Sequence, residues 1–149
     1  MARIHVVFGS VYGAAEQLAQ TLTQTLTGKG HQAVLFDNPD LAGVIQDRPD
    51  ALLVVTSTTG QGDIPDNLVP FFVALKDAFP MLNGLPYGVV TLGDSSYGDT
   101  YCGAGEQFDT LLDELGGHAV SAPLKVDACE TLDPEGDALP WLDNWSAAL

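Results

Sequence analysis

Short apolar runs alternate along the chain with segments in which apolar residues recur every three or four positions. The runs at 4–8, 33–36, 51–55 and 88–92, with a last one between His118 and Val126, are the strand candidates. Those starting at 4, 51 and 88 scarcely alternate with polar residues, which is the pattern of strands covered on both faces in a parallel sheet. Pro123 bends or ends the fifth, because proline brings no N–H to a ladder. Between the runs, Ala15, Leu18, Ala19, Leu22 and Leu26 trace an amphipathic helix that Gly28 and Gly30 stop. Leu68, Phe71, Phe72, Leu75 and Phe79 trace a second, whose first turn is restricted by Pro70. Phe108, Leu111, Leu112 and Leu115 trace a third ahead of Gly116 and Gly117. Pro140, read as a first-turn proline, opens a last helix through Trp141, Leu142, Trp145 and Leu149. Segment 38–49 is at most a short helix.

Strands joined by crossover helices form right-handed βαβ units. A chain of 149 residues, 46% of them hydrophobic, has the size and apolar content of one domain, residues 1–149. The expected architecture is α/β: an open, doubly wound, five-stranded parallel sheet in the order 2-1-3-4-5, with helices on both faces. In that order the carboxyl ends of strands one, three and four adjoin, and such a rim is where open α/β sheets bind ligands.

Charge narrows the partners. Five Lys and Arg stand against 20 Asp and Glu, a formal net charge of -15. That repels phosphodiester backbones and anionic bilayers, so neither nucleic acid nor membrane is an expected partner. An acidic surface suits transient docking onto basic partners, or serves solubility alone. Cys102 and Cys129 are too few for a metal cluster and read as free thiols. His5, His31 and His118 are scattered without ligand spacing, and no Ser, His and Asp set stands out as nucleophilic machinery. The first residues run directly into a strand without the basic flank and apolar core of a signal peptide, and no apolar run approaches the roughly 18 residues of a membrane span. A cytoplasmic protein is expected.

Three polar loops follow the strands that share the rim. In the first, Gly9-Ser10-Val11-Tyr12-Gly13-Ala14-Ala15, glycines permit tight turns and a helix start offers unpaired amides to a phosphate. It is neither a nucleotide P-loop nor the dinucleotide glycine fingerprint, and a plain strand-to-helix turn fits it equally. The second runs Thr56-Ser57-Thr58-Thr59-Gly60-Gln61-Gly62-Asp63-Ile64-Pro65-Asp66-Asn67. Four successive hydroxyl residues exceed what a helix cap needs, although a turn capped by Asp66 or Asn67 is the plainer alternative. The third spans 91–101 and places Tyr97 among Ser95, Ser96 and Gly98, where no core periodicity asks for an aromatic and a planar ligand could stack. Tyr101 reads either as core or as site, Cys102 as packing beneath the loop, and Asp94 as a ligand acceptor or a turn cap.

These residues resemble the flavodoxins, specifically the short bacterial kind. Gly9-Ser10-Val11-Tyr12-Gly13 resembles the family's phosphate loop. The stretch from Thr58 to Asn67 is similar to the middle flavin loop shared with diflavin reductases. Leu92-Gly93-Asp94-Ser95-Ser96-Tyr97, with Tyr101-Cys102-Gly103-Ala104, is similar to the outer flavin loop. The likeness spans essentially the whole chain, and the stretch after Gly117 is too short for the insertion that splits the last strand of long-chain flavodoxins.

The resemblance implies noncovalent FMN and a low-potential, one-electron carrier between a flavoprotein reductase and acceptor enzymes, working as a monomer. It assigns Ser10, Val11, Tyr12, Gly13, Ala14 and Ala15, with Ser57 or Thr58, to the phosphate. Thr59, Gly60, Gln61, Gly62 and Asp63 fall to the middle loop, where the peptide after Gly60 flips toward reduced N5. Gly93, Asp94, Ser95, Tyr97, Tyr101 and Cys102 fall to the outer loop, with Tyr97 over the ring. Two departures stand out: Ala14 and Ala15 replace a common Asn and Thr, implying weaker FMN binding, and Thr59 replaces an inner-face aromatic, leaving that face to Ile64, Pro65 or Leu68. Asp63, Asp66, Asp94 and Asp99 near an anionic reduced flavin disfavour full reduction. The alternatives are an FMN-dependent quinone or nitro reductase of the same fold, a phosphoacceptor signalling domain, which would need acidic residues where Gly9-Ser10 and Ser57-Thr58 stand, and a cofactor-free interaction module.

Overall fold

The computed structural model describes residues 2–9, 13–36, 39–40, 42–46, 49–57, 64–93, 103–121, 123–127 and 134–149. Strands β1 (Arg3–Gly9), β2 (Gln32–Phe36), β3 (Ala51–Ser57) and β4 (Pro86–Gly93) pair in parallel. The last strand is split into β5 (His118–Ala119) and β6 (Leu124–Asp127), both paired with β4. Pro123 sits just before the second piece, so the break comes where the missing N–H predicts it. The resulting order is 2-1-3-4-5, as the alternation of elements implied.

Burial on both faces follows from the period of two along each strand. Ile4, Val6 and Phe8 of β1, Ala51, Leu53 and Val55 of β3, and Val90 and Leu92 of β4 point to one face. There they meet helix α1 (Ala14–Gly28) through Ala15, Leu18, Ala19, Leu22 and Leu26, and helix α4 (Pro134–Ala147) through Ala138, Leu142 and Trp145. The intervening Val7, Leu52, Val54, Tyr87 and Val89 point to the other face, against helices α2 (Val69–Ala78) and α3 (Gly103–Glu114). Each apolar strand thus serves two cores. The 38–49 segment contributes one π-helical turn, Ala42–Gln46, whose Val44 and Ile45 are buried in the second core. His5 is buried beneath that turn and donates from Nδ1 to the Val44 carbonyl at 2.9 Å.

Two expectations about helices need correction. Helix α4 begins at Pro134, six residues before Pro140, which lies inside it. Pro134 occupies the start, where a missing N–H is harmless, whereas Pro140 forfeits an internal bond. Packing of Ala138, Leu142 and Trp145 in the core outweighs that loss. Trp145 also donates its indole N–H to the Tyr87 carbonyl at 3.2 Å and stacks on Trp141, so both tryptophans are structural. Phe79, expected to complete the apolar stripe of α2, is instead its left-handed C-cap at φ 46° and is 51% exposed. Pro80 follows it and cannot continue the helix.

Tyr87 is a buried phenol on β4 whose hydroxyl donates to Asp109 Oδ1 at 3.0 Å. Burial, then the hydrogen bond to Asp109 and the charges of Asp109 and Asp113, raise its pKa far above the ordinary tyrosine value. Because the folded state disfavours the phenolate, the associated stability is complete below the unfolded pKa and is lost as pH climbs past it. Tyr87→Phe is therefore expected to cost about 1–2 kcal/mol at pH 7 and to flatten the fall in stability above about pH 10, measured by urea unfolding across pH.

Candidate functional site

The register fixes the rim. Gly9 of β1 lies beside Thr56 of β3, and Thr56 lies beside Thr91 of β4. Neighbouring strands stand about 4.8 Å apart, so the last residues of three strands form one short row. Thr56 and Thr91 are fully buried in it, and the Thr56 hydroxyl donates to the Ser57 carbonyl at 2.8 Å. Two helices start just beyond the same row, α1 at Ala14 and α3 at Gly103, and each helix start carries partial positive charge toward the rim.

Gly13 opens α1 from the left-handed region, at φ 90°, with no side-chain cap on the helix. A residue with a Cβ is strained there although nothing crowds the space. Gly13, as the N-cap, has no side chain to offer the first amides of α1, which suits an anion site at a helix start. Ala15 is fully buried in the core beneath α1 and offers the rim only its backbone.

Gly9 has a different reason to be glycine. A Cβ there would lie 2.7 Å from Leu68 Cδ1 and 3.0 Å from the Thr56 hydroxyl. Leu68 is itself fully buried, and Ile64 and Pro65 are buried too. Ile64 and Leu68 pack in the second core. The alternative reading, a cap by Asp66 or Asn67, does not hold for α2. Its N-cap is Leu68, without a side-chain bond, and Asn67 reaches away to the Phe8 carbonyl at 2.8 Å.

The family model described as Flavodoxin matches residues 6–141. The chain belongs to the flavodoxin family. It is 42% identical to Flavodoxin YqcA of Escherichia coli over all of this chain and 99% of that protein. Among solved structures, a mutant of flavodoxin from Pseudomonas aeruginosa superposes with TM-score 0.92 at 47% identity, covering 98% of this chain and 97% of that one. The chain is also 37% identical to the flavoprotein alpha-component of the NADPH sulfite reductase of Vibrio parahaemolyticus, matching 95% of this chain and 22% of that protein. As a flavodoxin it is an FMN-dependent electron carrier rather than an enzyme.

Of the residues the sequence nominated for this flavodoxin's cofactor, the fold brings Gly13, Ala14, Ala15, Ser57 and Gly93 to the ends of the three rim strands and the start of α1. Ser10, Val11, Tyr12, Thr58, Thr59, Gly60, Gln61, Gly62, Asp63, Asp94, Ser95, Tyr97, Tyr101 and Cys102 lie outside the described residues. Asn67, quoted in the sequence as the end of the middle loop with a helix cap as the alternative, makes a long-range bond to the Phe8 carbonyl that spacing along the chain does not reveal. A cavity of about 250 Å³ bordered by Ile45, Pro49, Met81, Leu82 and Leu85 lies at the opposite, amino-terminal end of β3 and β4, away from this chemistry. Among the described residues, no helix is long and apolar enough to cross a membrane. Gly9→Ala should lower stability by about 1–3 kcal/mol by overpacking Leu68, read as a reduced denaturation midpoint; an unchanged midpoint contradicts the close contact.

Proposed function

We propose that the start of α1 holds the FMN phosphate, through the segment Ser10-Val11-Tyr12-Gly13-Ala14-Ala15 with Ser57 or Thr58, while residues 58–63 and 93–97 hold the ring system. In the same reading Tyr97 covers the ring, and Tyr101 and Cys102 complete the outer loop. The observation that supports this reading is the helix start at a left-handed glycine, Gly13, set beyond a row of strand ends. Bound FMN supplies reversible one-electron chemistry. The chain's part is to hold the phosphate with amide dipoles and to set carboxylates near the ring that oppose the negative charge of its fully reduced form.

A net charge of -15 favours partners with a basic face, a flavoprotein reductase on one side and acceptor enzymes on the other. It also disfavours self-association, which supports a monomer as the working form; the cytoplasm is the proposed location. Ala14 and Ala15 supply no side-chain donors, which makes binding weaker than in flavodoxins with Asn and Thr there.

Fluorescence titration of apoprotein with FMN and with riboflavin tests the phosphate assignment. FMN should bind at least about tenfold more tightly, the equivalent of one charge-assisted bond; near-equal affinities contradict the assignment. Gly13→Ala and Gly30→Ala remove glycines of similar positive φ, 90° and 94°. Both should destabilise the apoprotein by about 1 kcal/mol, and only the first should weaken FMN.

A further inference from the structure

The last two carbonyls of β1 are each bonded by a side chain, and the two side chains come from opposite ends of one loop. Ser57, which ends β3, donates its hydroxyl to the Gly9 carbonyl at 3.3 Å. Asn67, just ahead of α2, donates its amide to the Phe8 carbonyl at 2.8 Å. Residues 58–66, the middle of the three polar loops, run between these ties.

Gln32 donates its N–H to the Ala2 carbonyl, so with strand alternation the even-numbered carbonyls of β1 face β2. The described pairs of that ladder end at Val7 and Phe36, and Phe8 is the next even position. The Asn67 amide reaches the Phe8 carbonyl from the far end of the middle loop. Its backbone is held there as well: the following residue, Leu68, is fully buried against Gly9 with no room to spare.

Phe8 is buried while Asn67 is half-buried, so water entering on the Asn67 side is the replacement partner for the Phe8 carbonyl when the amide is removed. What the bond does is tie the exit of the middle loop to the residue two before the phosphate segment. Small displacements of a binding constellation weaken it far more than they weaken the fold.

We propose that Asn67 is a positioning residue that sets the spacing between the phosphate loop and the middle loop, and through it the affinity and potentials of the bound FMN. Ser57, at the longer distance, is the weaker tie. This rests on the assignment of those two loops to the cofactor.

The test compares wild type with Asn67→Ala and with Asn67→Leu, which keeps much of the volume and loses the donor without adding a charge. Three quantities are measured: the thermal midpoint of the apoprotein, the FMN dissociation constant, and the two one-electron midpoint potentials after reconstitution. The expected result for both variants is an apoprotein midpoint close to wild type, FMN binding weakened roughly tenfold, and a displaced potential for at least one step. Unchanged affinity and potentials overturn the proposal. So does a loss of affinity matched by an equal loss of apoprotein stability, because that marks a structural role. Wild-type protein that fails to bind FMN overturns the cofactor assignment itself, an outcome distinct from either.

Discussion

Parallel pairing of β1, β3 and β4 in one register is the constraint on which the rest of the molecule depends. It sends alternate side chains of each strand into two separate cores and so requires helices on both sides of the sheet. It also delivers Gly9, Thr56 and Thr91 to a single row at the carboxyl edge. Crossover connections then place a polar segment and a helix start after each of these strands. The site is a consequence of strand order, and its chemistry is decided by which residues the loops carry.

Much of this was legible in the chain. Doubly buried strands betray themselves by apolar runs without alternation, and 4–8, 51–55 and 88–92 all fell inside observed strands. The residues predicted for the buried faces of α1 and α3 are buried. Where pattern misled, a local rule competed with a distant contact. Pro140 looked like a helix opener because proline is favoured there, yet Ala138 packs in the core ahead of it and carries the helix through. Phe79 kept the helical spacing of α2, but Pro80 ends the helix and leaves the ring outside. Asn67 kept the position of a cap while its partner was 59 residues away in sequence. Periodicity describes neighbours along an element and is silent on bonds of that reach.

Electrostatics complements the geometry. Some of the few cations are engaged in surface pairs, Lys29 with Asp143 and Lys125 with Glu106. Both pairs are exposed, and such pairs add little to stability. They join neighbouring elements, α1 to α4 and β6 to α3, while carboxylates remain in large excess over the surface. The proposed phosphate site accordingly relies on oriented backbone amides at the start of α1. In the same proposal the acidic surface opposes negative charge on the reduced ring and attracts basic partners.

The central claim is that three strand ends at one edge jointly hold a single FMN. The most direct test is to record amide NMR shifts of labelled apoprotein as FMN is added. The account predicts changes concentrated in 9–15, 56–68 and 92–104, with the cavity beside Ile45, Met81 and Leu85 unaffected. Changes centred on that opposite end, or confined to one of the three segments, contradict it.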